Sequence, residues 1–304
     1  MTPRRARILI VPYDSGQRGF RMGAGPKQLM RNGLAERVAR LGFDVTVEEI
    51  DPSGSPPHPE IATSFELARI ISDRVHAAQR AGETPLVFSG NCNTSLGTVS
   101  GLDRNSRGVI WLDAHGDFNT PDTTIGGFLD GMALAALTGR CWKGPTATIP
   151  RFEAVQDESV IQLGARHLDP AEAELLRASK IGRAGADASD SDVDVLLDRL
   201  STHVDGAYLH LDLDVLDVNE GKANSYACAG GYTRRELNRL LDRIAEKIPI
   251  KAMAVTAYDP ALDADKRVAE AAMEFVETVL KRIADPTAPA RRARSSPSER
   301  GARQ

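Results

Sequence analysis

Short apolar runs recur along the chain, separated by longer stretches in which apolar positions fall three or four residues apart. The runs at residues 7–12, 44–49, 85–89, 108–113, 159–164, 207–214 and 251–256 read as buried strands. Between them the spacing predicts amphipathic helices over residues 25–41, 60–81, 170–179, 191–201, 233–246 and 262–283. Strand and helix alternate over the whole body, which predicts an α/β fold with a mostly parallel sheet and helices on both faces. No linker or repeat divides it, so residues 1–285 are expected to form one domain.

Composition sharpens this in three ways. The 304 residues carry 38 Lys plus Arg against 42 Asp plus Glu, a net charge of −4, which excludes the global basic surface that nucleic-acid binding needs. The charge is uneven: residues 286–304 hold five arginines and one acid, so this segment is +4 and the rest −8. Its Pro, Ser, Arg and Ala composition, without apolar periodicity, predicts a disordered basic tail. Three cysteines, Cys92, Cys141 and Cys228, cannot build a disulfide framework and point to a reducing compartment, the cytoplasm. No apolar stretch approaches the roughly 20 residues of a membrane helix, and the run at 8–11 is too short for a signal-peptide core.

Open parallel sheets place ligands at the carboxyl ends of their strands, and there the sequence gathers acids. After Val109-Ile110-Trp111-Leu112 comes Asp113-Ala114-His115-Gly116-Asp117; in an extended segment the three ionisable side chains share one side. After Tyr208-Leu209-His210-Leu211 come Asp212 and Asp214, again at alternate positions. Buried unpaired charge costs several kcal/mol, so such clusters call for a cation. If the two strands lie close, four Asp and one His converge, a donor set that suits Mn(II) better than Zn(II) and is rich enough for two ions. His58, His76 and His203 read as surface residues, and His210 as a core residue rather than a ligand.

With these residues the chain resembles the arginase family of ureohydrolases, which includes agmatinase and formiminoglutamase. The family's Asp-Ala-His-x-Asp stands at Asp113 to Asp117, continued by Phe118-Asn119-Thr120-Pro121, and its Asp-x-Asp at Asp212 and Asp214. Shorter echoes are Gly25-Pro26, Leu163-Gly164-Ala165-Arg166 and Gly230-Gly231-Tyr232-Thr233. The resemblance implies a three-layer α/β/α sandwich, hydrolysis of a guanidine C–N bond with one or two Mn(II) per chain, and a homo-oligomer, trimer or hexamer. It implies metal ligation by Asp113, His115, Asp117, Asp212 and Asp214, with Asp117 also orienting the attacking hydroxide. Asn119, Thr124, Asp169 and Thr233 would bind an amino-acid substrate, although Gly126 replaces an expected Ser. No nucleic-acid or membrane partner is implied.

The pattern breaks at three positions. Where the family has a ligating His this chain has Cys92, in Ser89-Gly90-Asn91-Cys92-Asn93; a thiolate is a softer donor than imidazole. The family's proton-shuttling His aligns with Asp130, which reads either as an acid that relays protons or pairs with a cationic group, or as a loop acid. The acid that anchors the guanidinium is Ala257, with Asp259 nearby as a substitute only if the backbone shifts. A branch that hydrolyses N-hydroxyarginine resembles this chain in having Cys at position 92. The expected activity is therefore release of urea or hydroxyurea from arginine or N-hydroxyarginine. The alternatives are a catalytically reduced protein that binds an amino acid or partner without turnover, and hydrolysis of another amide or amidine.

Overall fold

The computed structural model describes residues 4–52 and 59–285; the expected tail at 286–304 and His58 lie outside the described residues. The strands are β1 (Arg4–Val11), β2 (Tyr13–Asp14), β3 (Gln17–Arg18), β4 (Phe43–Glu49), β5 (Glu83–Ser89), β6 (Gly108–Leu112), β7 (Val160–Leu163), β8 (Gly182–Ala184), β9 (Ala207–Asp212) and β10 (Ile250–Thr256). The helices are α1 (Gly25–Arg31), α2 (Leu34–Arg40), α3 (Glu60–Arg80), α4 (Ser95–Gly101), α5 (Ala133–Leu137), α6 (Lys143–Thr146), α7 (Pro170–Ala178), α8 (Asp190–His203), α9 (Arg234–Lys247) and α10 (Arg267–Ala284).

Eight strands form one sheet in the order β4-β1-β5-β10-β9-β6-β7-β8, every neighbouring pair parallel. Alternation along each strand divides the core in two. Ile8, Ile10, Phe88, Ile110 and Leu211 face a layer that includes Leu34, Leu197, Leu241 and Phe275. Leu9, Val11, Val87, Trp111 and Tyr208 face the other, with Phe65, Ile71, Val99 and Leu134. The architecture is the expected α/β/α sandwich.

The seven expected strands are present, and β8 extends the sheet at one edge; Gly182-Arg183-Ala184 is too short and too weakly apolar to stand out as a run. The single helix expected over 25–41 is two, α1 and α2, separated at Asn32-Gly33, where Gly33 takes a left-handed φ of 90°. The last helix begins at Arg267 rather than 262, because Asp263 caps it: its carboxylate accepts the N–H groups of Val268 (3.1 Å) and Ala269 (2.9 Å) and the Tyr258 hydroxyl (2.9 Å). Helices α4 and α5 were not expected. Every residue of both is buried, so neither has the polar face that makes helical periodicity visible.

Helix α4 directly follows the candidate metal segment at Cys92, and it packs closely against α3 through Gly97. A methyl group added there would collide with the Ala68 carbonyl oxygen and lie 2.9 Å from the Ala68 Cα and the Ile71 Cβ. Gly97→Ala is expected to destabilise the protein by about 1–3 kcal/mol through overpacking, despite the gain in helix propensity. Urea unfolding of the two proteins measures this directly.

Candidate metal centre

The strand order accounts for the site. β6 and β9 are neighbours with Trp111 opposite His210 and Leu112 opposite Leu211, so Asp113 and Asp212 leave the sheet side by side. β10 and β5 continue the row, bringing Ala257 and Cys92 to the same end. Together they floor a cavity of about 210 Å³ whose lining includes Cys92, Asp113, His115, Asp117, Asp130, Asp212 and Asp214. The convergence expected from the sequence is thus present.

Within it, His115 Nδ1 lies 3.4 Å from Asp113 Oδ1 and 3.3 Å from Asp214 Oδ2. Burial disfavours the imidazolium, but the two carboxylates outweigh it and carry His115 up to about 12. Burial likewise works against the Asp214 carboxylate, yet His115, Asp212 and Asn224 draw it down to about 2. Asp117 and Asp212 are pushed well above the usual carboxylate range by burial and by the neighbouring acids. Asp117 Oδ2 is buried with no hydrogen-bond partner. Orphaned oxygen, crowded acids and one imidazole fit a divalent cation held by Asp113, His115 and Asp214, whose ligand atoms all lie within 4.8 Å of one another.

Asp117 reaches the cavity by a different route from the extended segment expected. Its backbone is left-handed, φ 47°, and the turn is held from below by Glu172, whose Oε1 accepts the Phe118 N–H at 2.8 Å. The Cys92 thiol points into the acids: Sγ lies 3.1 Å from Asp212 Oδ2 and 3.3 Å from Thr256 Oγ1. Burial pushes this thiol well up, and the surrounding carboxylates push it the same way. Burial also moves Asp130 up to about 7 against donors that favour its charge, the Asn93 N–H at 3.0 Å and Asn91 Nδ2 at 2.9 Å.

Asn119, Thr124 and Asp169 line the cavity, with Asn119 Nδ2 donating to Asp169 Oδ2 at 3.0 Å. Thr233 does not line it. It is the N-cap of α9, its hydroxyl accepting the Glu236 N–H and its N–H donating to the Glu236 carboxylate, so its polar atoms serve the helix start. Asp259 is also absent from the lining and caps the turn at Pro260–Leu262 through the Ala261 N–H. Ala257 faces the cavity from a left-handed backbone, φ 60°.

Three contributors escape the sequence motifs. Asn224 Nδ2 donates to Asp214 Oδ2 (3.2 Å) and to the Ala257 carbonyl (3.0 Å). Tyr226 stacks on Phe128 at 5.5 Å beside them. Glu172 had a visible signal, since Asp169-Pro170-Ala171-Glu172 is a capping-box pattern and both halves of the box form. His210, read as a core residue, is indeed fully buried, but beside Cys92 and Asp113.

The arginase family model matches residues 4–281. The arginase of Brevibacillus brevis is 30% identical over 293 residues, covering 90% of this chain and 96% of its own. That of Staphylococcus aureus strain MRSA252 is 28% identical over 296 residues, covering 89% and 95%. The crystal structure of Bacillus subtilis arginase aligns with a TM-score of 0.83 at 26% identity, covering 91% of this chain and 98% of that one.

Removing the support under Asp117 should be costly. Glu172→Ala leaves the buried Phe118 N–H without its acceptor and is expected to lower stability by about 1–3 kcal/mol, measured by urea unfolding.

Proposed function

Because this chain belongs to the arginase family, we propose that it is a metal-dependent hydrolase that cleaves the C–N bond of a guanidino amino acid, with an N-hydroxyguanidine preferred over a guanidine. The observation that carries this reading is a cavity floored by Asp113, His115, Asp117, Asp212 and Asp214 whose wall presents Ala257 where a carboxylate would grip a guanidinium. A bidentate carboxylate is among the strongest anchors for that cation. An N-hydroxyguanidine holds its positive charge less tightly, because the added oxygen withdraws electron density, and so loses least from that absence.

Asp113, His115, Asp212 and Asp214 would hold the ion, Mn(II) by their oxygen-rich chemistry. When bound, it supplies the Lewis acidity that makes water nucleophilic near neutral pH. The protein's own groups do the rest. Asp117, with Oδ2 unpartnered, orients the attacking water and accepts its proton. Asp130, fixed by Asn91 and Asn93, hands a proton to the departing amine. Asn119, Thr124 and Asp169 bind the amino-acid end. The products are an amine and hydroxyurea, or urea from the guanidine. Among the described residues no helix is long and apolar enough to cross a membrane.

With Mn(II) supplied, the purified protein is expected to release hydroxyurea from N-hydroxyarginine with a higher kcat/KM than urea from arginine. Metal bound without turnover of either would overturn the reading and favour a protein that binds an amino acid without turnover. Asp117→Asn is expected to lower kcat by roughly 10²- to 10⁴-fold, the usual scale of general-base catalysis, with KM changed much less.

A further inference from the structure

Beside the Asp113, His115 and Asp214 set lies a second group of ligand atoms. Cys92 Sγ, a carboxylate oxygen of Asp113 and an imidazole nitrogen of His210 also lie within 4.8 Å of one another. All three residues are buried, and Asp113 belongs to both sets. Asp212 Oδ2, 3.1 Å from Cys92 Sγ, offers a fourth donor.

The second group is held as firmly as the first. The His210 ring stacks on Trp111 at 3.6 Å between centroids and 10° between planes. Its Nδ1 lies 2.7 Å from the Tyr208 hydroxyl, while Nε2 faces Thr256 Oγ1 at a long 3.4 Å, and that oxygen is 3.3 Å from Cys92 Sγ. Trp111 in turn donates its Nε1–H to Asp113 Oδ2 at 3.1 Å. One aromatic stack therefore orients both a carboxylate and an imidazole, and the Tyr208 hydroxyl oxygen stands where it can accept a hydrogen bond from Nδ1–H, the tautomer that leaves the Nε2 lone pair for a metal. Such outer partners are what fix ring and tautomer in metal-binding histidines.

We infer that Cys92, Asp113, Asp212 and His210 form a zinc site, deeper than and beside the oxygen-rich manganese position, in which His210 supplies the imidazole that position 92 lacks. The inference rests on reading the cavity as a metal-dependent centre. One sulfur, one nitrogen and two carboxylate oxygens make a four-donor set of the kind Zn(II) takes tetrahedrally, and a thiolate disfavours Mn(II). On binding, the Cys92 thiol gives its proton to solvent and its hydrogen bond to Asp212 is replaced by a sulfur–metal bond; nothing is oxidised or reduced. The depth follows from burial: His210 is 0% and Cys92 2% exposed, whereas the His115 side chain keeps 24% of its surface.

The test reads metal, not turnover. The full chain is loaded with Mn(II) and Zn(II) together and its content measured by mass spectrometry, then loaded with Co(II) as a spectroscopic stand-in for zinc. The wild-type protein is expected to hold one zinc per chain and to show a thiolate-to-cobalt charge-transfer band, which Cys92→Ser abolishes. His210→Gln is expected to weaken zinc at least tenfold and leave manganese in place. Tyr208→Phe, a gentler change, is expected to weaken zinc by roughly 10- to 100-fold, the usual effect of an outer partner, and decides the matter if the first variant does not fold. A cobalt-loaded protein without the band, or zinc affinity unchanged in the folded variants, overturns the inference. Manganese bound without zinc sinks this site alone, whereas metal bound without guanidine turnover sinks the proposed hydrolase and leaves this site standing.

Discussion

Asp113, Asp117, Asp130, Asp212 and Asp214 all line one cavity, none more than 6% exposed. Two like charges about 4 Å apart repel by about 4 kcal/mol at the effective dielectric near a protein surface, and five in one pocket repel many times over. The chain answers in two ways. Some of the acids are driven toward their neutral forms, as with Asp117 and Asp212, and one imidazole, His115, is held protonated between Asp113 and Asp214. Neither response satisfies Asp117 Oδ2, which is buried and unpartnered. A divalent ion answers the repulsion and the orphan together, which is why the metal is the centre around which the other side chains make sense.

That concentration of charge is tolerable only because the sheet is built to bring strand ends together. The chain passes through β1, β4 and β5 on one side, crosses to β6, β7 and β8 on the other, and fills the gap last with β9 and β10. The four central strands thus include two laid down early and two laid down late. Each delivers one part of the site: Cys92 after β5, Asp113 to Asp117 after β6, Asp212 and Asp214 at and after β9, Ala257 after β10. Alternation on one face does the remaining work. Val109, Trp111 and Asp113 form one row and Tyr208, His210 and Asp212 the next, in register. Each row runs from apolar core through an aromatic ring to a carboxylate.

The strands and the two acidic motifs were legible because their signals are local: a run of apolar residues, or ionisable groups at alternate positions. What was hidden depends on neighbours that sequence separation conceals. His210 is the core residue that the sequence suggests, but nothing along the chain says that β9 pairs with β6 or that Cys92 arrives across β10, so its place beside Cys92 and Asp113 stayed hidden. Asn224 lies in a loop without periodicity, and its role appears only where Asp214 and the Ala257 carbonyl come within reach of one amide. Helices α4 and α5 were invisible for the opposite reason, being buried on all sides. Thr233 shows the converse error, a short motif match whose hydroxyl is committed to starting a helix.

The three departures from the arginase pattern are better understood together than singly. The pattern loses a carboxyl group at Ala257 and gains one at Asp130, and both positions line the cavity. Ala257 bends into the left-handed region with no acid to present. A left-handed alanine costs about 1–2 kcal/mol, and Asn224 holds its carbonyl while also donating to Asp214. The Ala257 carbonyl and the Asp214 carboxylate thus share one amide donor. Asp130, by contrast, is secured by Asn91 and Asn93, the residues that flank Cys92. Asp130 and the Cys92 thiol are therefore positioned by the same segment after β5, so the two departures are structurally linked.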